Sequence, residues 1–228
     1  MSTPSIHKCT LLDAGCITYA AGLVLQRKAR DLVEAGEWDG ILLLLEHEPV
    51  ITLGRNGGLE NLLTNERDLL ARGINLVKTE RGGNITGHNP GQLVVYPVLN
   101  LKKWQQDVHW YVRTIEEAVI RTLGNHQLQA GRKSGHTGVW IDDRKVAAIG
   151  VFISRWITSH GLALNVNNDL SLFASMIPCG ISGHGVTNLA QAGIDMELNE
   201  LKKEFAGEFG KLFECELHND SAIAHLVE

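Results

Sequence analysis

The run that decides the fold is Gly138-Val139-Trp140-Ile141-Asp142-Asp143-Arg144-Lys145-Val146-Ala147-Ala148-Ile149-Gly150-Val151-Phe152-Ile153-Ser154-Arg155-Trp156-Ile157-Thr158-Ser159-His160-Gly161-Leu162-Ala163-Leu164-Asn165. Gly138 to Ile141, Lys145 to Ile153 and Ile157 to Asn165 are rich in β-branched and aliphatic residues, and each reads as a strand. Asp142-Asp143 turns the first into the second, and Ser154 to Trp156 turns the second into the third. Connections this short join antiparallel neighbours, because a parallel return needs a crossover of a dozen residues or more. A doubly wound parallel sheet is therefore excluded for this half.

Working outward, Ile41 to Leu45 is too short and too uniformly apolar for anything but a buried strand. Val50 to Leu53, Ile74 to Lys78 and Leu93 to Leu99 read as further strands. Asp13 to Gly36 reads as a helix with Gly22, Leu25, Ala29, Leu32 and Val33 near one face and Gly36 as its stop. Asn65 to Arg72 reads as a short helix capped by Thr64 or Asn65. Asp107 caps a helix with Val108, Tyr111, Val112, Ile115, Val119 and Leu123 on its apolar face, ending at Gly124. Leu170 to Met176 is a short helix, and Asn199 to Leu212 closes the pattern with Leu201, Phe205, Phe209 and Leu212 inward. The tail from Glu214 onward is mixed and is expected to fray. The fold class expected is α/β in the α+β sense: a mixed, largely antiparallel sheet with flanking helices, in one domain over residues 1–228.

Composition narrows the function. With a net charge of -5 and no Lys/Arg-rich run, no nucleic-acid partner is expected. Ile41 to Leu45 is its longest purely apolar run, and Met1 to Thr10 lacks a signal peptide's basic and apolar parts, so a soluble cytoplasmic protein is expected. Cys9, Cys16, Cys179 and Cys215 form no CxxC pair, which suits a reducing compartment. The ten histidines include no HExxH and no zinc-spaced Cys/His cluster, so no metal is expected. GxxxxGK[ST] and GxSxG are absent as well.

Three segments can carry chemistry. Arg81-Gly82-Gly83 is either a tight turn or a place where free backbone N–H groups hold a carbonyl or phosphate oxygen. Cys179, between Pro178 and Gly180, is either an inert buried thiol or a nucleophile on a fixed elbow, which then needs an electropositive neighbour. Lys145, at the mouth of an apolar strand, is either a hairpin lysine with its head in water or a desolvated amine with a lowered pKa. His88 and His160 can each polarise a carbonyl or orient a thiol, or can be hydrogen-bonded structural residues. His47 is a further histidine, standing just before the Val50 to Leu53 strand.

The order and wording of the segments are more specific than any one of them. His47-Glu48-Pro49-Val50-Ile51-Thr52-Leu53-Gly54, Arg81-Gly82-Gly83-Asn84-Ile85-Thr86-Gly87-His88 and Pro90-Gly91-Gln92-Leu93-Val94-Val95-Tyr96-Pro97 come first. Thr137-Gly138-Val139-Trp140, Asp143-Arg144-Lys145, Ala148-Ile149-Gly150, Ser159-His160-Gly161-Leu162-Ala163-Leu164-Asn165 and Ile177-Pro178-Cys179-Gly180-Ile181 follow. From Ile41 to about Leu189 the chain resembles the lipoyl(octanoyl) transferase family. The resemblance implies the fold of lipoate and biotin protein ligases, an acyl-enzyme on Cys179 and a lysine, Lys145, that activates it. It also implies acyl and thioester contacts from Arg81, Gly82, Gly83, Asn84, Ile85, Thr86, Gly87 and His88, from Ala148, Ile149 and Gly150, and from Gly161, Leu162 and Ala163. No cofactor is implied, because a thioester donor already carries the energy. The implied donor is octanoyl-acyl carrier protein. The implied acceptors are lysines of lipoyl domains of 2-oxoacid dehydrogenases and of the glycine-cleavage carrier protein. An ATP-dependent lipoate or octanoate ligase of the same fold is the alternative. Arg132 to Arg155 and Lys102-Lys103 are candidate docking cations for an acidic carrier. One short stretch departs from the family wording: an aromatic followed by His-Gly-Pro-Gly is usual, and here Gly87-His88-Asn89-Pro90-Gly91 stands. The expected consequence is a more open wall at position 87 and an altered chain-length preference, with Asn89 suited to left-handed backbone angles.

Overall fold

The computed structural model describes residues 7–177, 185–219, 223, 224 and 226. Its strands are β1 (His7–Ile17), β2 (Gly40–His47), β3 (Val50–Leu53), β4 (Asn75–Lys78), β5 (Ile85–His88), β6 (Gln92–Leu99), β7 (Gly131–Lys133), β8 (His136–Ile141), β9 (Arg144–Ser154), β10 (Ile157–Asn165) and β11 (Cys215–Asn219). The α-helices are α1 (Tyr19–Ala35), α2 (Glu66–Ala71), α3 (Val108–Gly124) and α4 (Leu198–Leu212). An eight-stranded sheet runs β11-β1-β2-β6-β10-β9-β8-β7, and a three-stranded sheet runs β4-β3-β5. β7 to β10, β6 and β2 pair antiparallel, whereas β1 pairs parallel with both β2 and β11. The mixed, largely antiparallel sheet expected from the hairpins is the one observed.

Each face of the large sheet has its own cover. Tyr111, Ile115 and Val119 of α3 and Leu201, Phe205 and Phe209 of α4 pack on one face, against Leu42, Leu44, Val95 and Leu162. Leu25, Ala29 and Val33 of α1 pack on the other, against Ile41, Leu43, Val94 and Tyr96. Alternate residues of one strand thus feed two cores, which is why β2 and β6 are apolar throughout. The small sheet closes over Ile51, Leu53, Leu69, Ile85, Leu172 and Met176.

The caps follow the expected chemistry. Asn65 accepts from Asp68 N at 2.9 Å, and Asp107 accepts from His109 N and Trp110 N at 2.7 and 3.1 Å. Gly36 ends α1 with φ 80°.

Three local expectations are corrected. Asp13 to Ile17 belongs to a strand, not to the first helix: α1 starts after Thr18, whose hydroxyl accepts from Ala21 N at 3.1 Å. The residues before it are claimed by pairing with β2, which breaks register between Asp13 and Cys16 around Gly15. Cys215–Asn219 is a strand rather than a frayed tail, paired parallel with β1 from His7↔Cys215 to Leu11↔Asn219. Ile85–His88, within the glycine-bearing stretch, pairs antiparallel with β3.

Candidate functional site

On the α1 side of the large sheet, where β9 and β10 run beyond the helix, lies a cavity of about 340 Å³. That volume suits a small acyl group. Ala148 and Gly150 of β9 sit opposite Ala163 and Gly161 of β10, and all four line the cavity. These residues carry a methyl group or nothing, so the sheet leaves a trough there. Ile149 and Leu162 also line it.

Lys145 reaches the same cavity although it stands three residues before Ala148. The reason is an extra residue in β9: Ala147 pairs with Val139 while Lys145 pairs with Trp140. Such a bulge reverses the alternation of faces. Lys145 is 7% exposed; its Nζ donates to Thr137 O at 3.1 Å and lies 4.9 Å from the Trp140 ring centroid. Gly138 makes room for it. At φ 125°, a Cβ there would stand 2.6 Å from Ala147 O and 3.3 Å from Lys145 Cε. The Lys145 head therefore does not stand in water: its side chain is buried against the Trp140 ring and the Thr137 carbonyl.

The roof is the Arg81 to His88 segment. Arg81 is buried, and its guanidinium is turned back into the protein. Nε donates to Thr52 Oγ1 (3.1 Å), Nη2 to Thr52 O (2.7 Å) and Nη1 to Gly82 O (3.0 Å). Gly82 N donates to Val151 O at 2.8 Å and Asn56 N to Gly83 O at 3.1 Å, seating the loop over β9. Gly83 N–H lines the cavity without a partner among the described residues.

One end of the cavity is a ring cluster. His47 Nδ1 meets Ile17 O at 3.1 Å, so it carries the hydrogen, and its Nε2 accepts from Tyr96 OH at 2.7 Å. Tyr19 OH donates to Thr79 Oγ1 at 3.2 Å, and Thr79 Oγ1 lies 3.4 Å from His160 Nε2. His160 has φ 55°, and its buried Nδ1 has no partner among the described residues. Burial, the largest cause for each, lowers the imidazole pKa to about 4 for His47, about 3 for His88 and about 4 for His160. All three are thus held toward the neutral form, with the His47 and His88 rings 5.7 Å apart and His160 6.0 Å from the Tyr96 ring.

Of the residues expected at the site, Arg81, Gly83 to Thr86, His88, Lys145, Ala148 to Gly150 and Gly161 to Ala163 border this one cavity. Gly82 and Gly87 do not border it. Gly87 points the other way, and a Cβ on it would approach Leu172 Cδ2 to 2.7 Å and Met176 Cε to 3.1 Å. The wall expected to open at position 87 is thus closed by Leu172 and Met176 and is not a wall of the cavity. Nor is Asn89 left-handed, since the turn takes Gly91 at φ 86°. Asn89 instead donates to Asp169 O (2.8 Å) and accepts from Asn168 Nδ2 (3.0 Å).

Cys179, with Pro178 and Gly180, lies outside the described residues. On either side the chain is fixed: Ile177 N donates to Asn61 O at 2.8 Å, and Lys145 N donates to Gly185 O at 2.9 Å. Tyr19, Asn56, Tyr96, Gly135, His136 and Thr137 line the cavity without having been singled out for it. Several candidate docking cations already have carboxylate partners: Arg132 bonds Glu116 and Glu117, Lys133 bonds Asp143, and Arg155 bonds Glu34. Among the described residues, no helix is long and apolar enough to cross a membrane.

Residues 18–210 match the family model for the lipoyl protein ligase A/B catalytic domain. The octanoyltransferase of Solibacter usitatus is 46% identical over 219 residues, covering 96% of this chain and 99% of that protein. That of Caldanaerobacter subterraneus subsp. tengcongensis is 47% identical over 204 residues, 90% of each chain. Among solved structures, lipoate-protein ligase A bound with ATP superposes with TM-score 0.74 at 18% identity, covering 97% of this chain and 92% of that one. The Aquifex aeolicus biotin protein ligase in complex with biotin and ATP gives TM-score 0.54 at 15% identity, covering 90% and 70%. These two share the fold. The chain belongs to the lipoyl protein ligase A/B catalytic-domain family. Its place there is among the octanoyltransferases, a group of acyltransferases.

Proposed function

We propose that this acyltransferase works in the cytoplasm as one domain, moving an octanoyl group from acyl carrier protein to a lysine of a lipoyl domain or of the glycine-cleavage carrier. The group passes through a thioester on Cys179. The observation that carries this reading is the trough floored by Ala148, Gly150, Gly161 and Ala163, with Lys145 bordering the same space. Burying six or seven methylene-like groups at about 0.8 kcal/mol each offers roughly 5 kcal/mol before binding costs, enough to favour octanoyl over acetyl.

In the first half-reaction the Cys179 thiolate attacks the carbonyl carbon of the donor thioester. A new C–S bond forms, the donor's C–S bond breaks, and the carrier thiol leaves with a proton passed by Lys145. In the second, the acceptor amine attacks the acyl-enzyme; an amide C–N bond forms, the Cys179 sulfur leaves, and the amine's proton departs by way of Lys145. Gly83 N–H, free among the described residues and lining the cavity, suits the oxyanion of each step. Chain connectivity supports the pairing of the two groups. Cys179 stands two residues after Ile177, and Gly185, six residues after it, is bonded to the Lys145 backbone. Arg81 supports the loop through Thr52.

The test offers a lipoyl domain either octanoyl-acyl carrier protein without ATP or free octanoate with ATP. Modification with the first alone is expected. Modification with the second alone would replace this reading with an ATP-dependent ligase.

A further inference from the structure

Behind His88 the cavity wall continues into a chain of buried amides whose polarity can be read without ambiguity. Asn165 Nδ2 lies 2.9 Å from Thr187 O, and a carbonyl can only accept, so Asn165 presents Oδ1 to Gln92 Nε2 at 2.8 Å. Gln92 Nε2 also meets Gly87 O at 3.2 Å, which leaves Gln92 Oε1 as an acceptor 2.7 Å from His88 Nδ1. His88 Nδ1 therefore carries the hydrogen. In a neutral imidazole the lone pair is then on Nε2. That atom has no hydrogen-bond partner among the described residues, and its ring lines the cavity. In the other direction the chain reaches the proposed proton carrier: Thr187 N donates to Lys145 O at 3.0 Å.

We propose that Gln92 is a positioning residue that locks His88 in the Nδ1–H form, so that His88 Nε2 accepts a hydrogen bond from the amine nucleophile of the second half-reaction. The inference rests on the transfer reading above. An octanoyl chain has no N–H or O–H to give, so a bare acceptor in this wall serves no acyl contact. Of the two attacking groups, Cys179 attacks as the thiolate, and the incoming amine alone carries hydrogens to donate as it attacks. Burial keeps this imidazole a weak base, its pKa lowered to about 3, so it does not take the proton outright. It orients the amine lone pair toward the acyl carbon, and the proton leaves through Lys145.

The test is Gln92→Glu. A carboxylate facing Nδ1 favours the imidazolium, which turns Nε2 from acceptor to donor. Preformed octanoyl-enzyme is mixed with acceptor domain in single turnovers from about pH 5 to about pH 9. Deacylation is expected to slow by about tenfold or more near pH 6 and to recover at high pH, with acylation by the donor changed less than about threefold. A purely structural role would lower both steps at every pH. A wild-type pH profile in folded Gln92→Glu would overturn the proposal. If that variant does not fold, Gln92→Met keeps volume and neutrality. Imidazole nitrogen NMR should then show His88 as a tautomer mixture in place of the single Nδ1–H form of the wild type, with slower deacylation. A retained single form with wild-type rates would overturn the proposal equally. Failure of the wild type to form any acyl-enzyme would instead remove the transfer reading, while the tautomer measurement stands apart from activity.

Discussion

Lowering the pH from 7 to 5 should cost this protein about a third or more of its stability through three side chains. His47, His88 and His160 are held neutral by burial, with pKa values lowered from 6.5 to about 4, about 3 and about 4. In the unfolded chain the same groups protonate near 6.5. Between these limits the unfolded state binds more protons, so stability rises with pH. The contribution is fully present above 6.5 and is lost as pH falls toward 4. Each imidazole adds about 1.4 kcal/mol per pH unit, so near pH 5 the three together give a slope of about 4 kcal/mol per unit. Integrated from pH 7 to pH 5, the loss is about 5 kcal/mol, against a typical total of about 5–15 kcal/mol. Glu117 and Glu208, whose pKa values are lowered by hydrogen bonds from Arg121 and Lys211, add their own losses only below the carboxylate range. Urea unfolding at pH 7, 6 and 5 measures the slope, and His160→Gln should reduce it by about a third. A midpoint that stays constant from pH 7 to pH 5 would refute the reasoning.

Lys145→Met keeps the buried volume but removes the amino group that donates to Thr137 O. Transfer should fall by about 10²–10⁴-fold, measured at saturating donor, and a loss under about threefold would deny Lys145 its role. Ala163→Leu fills the trough opposite Ala148, so octanoyl transfer should fall while a butyryl thioester is retained, checked by competing the two donors. Gly87→Phe drives a ring against Leu172 and Met176 and should cost about 1–3 kcal/mol in urea unfolding, with the ratio of octanoyl to hexanoyl transfer unchanged because position 87 faces away from the cavity.

The middle of the fold was legible because its connections are short. Asp142-Asp143 and Ser154 to Trp156 leave β8, β9 and β10 no option but hairpins, and the apolar runs of β2 and β6 can only be buried. β1 and β11 were not legible. Their partnership joins His7 to Cys215 across nearly the whole chain, and nothing local in either segment announces it. The site divides in the same way. Arg81 to His88, Ala148 to Gly150 and Gly161 to Ala163 were legible as a set through the resemblance to the lipoyl(octanoyl) transferase family, whose segments they match in order. That Lys145 shares a face with Ala148 depends on a bulge, and that Arg81 is spent on Thr52 depends on a neighbour 29 residues away. Tyr19 and Tyr96 read as ordinary helix and strand residues. They enter the cavity because α1 begins just after Thr18, at Tyr19, and because β6 lies beside β10.

The proposed transfer turns on an acyl thioester at Cys179. Intact mass after mixing the protein with octanoyl-acyl carrier protein, without ATP and beside Cys179→Ala, tests it most directly. A gain of one octanoyl group is expected, absent from the variant and discharged by a lipoyl domain. An unchanged mass, or an equal gain in Cys179→Ala, would contradict it.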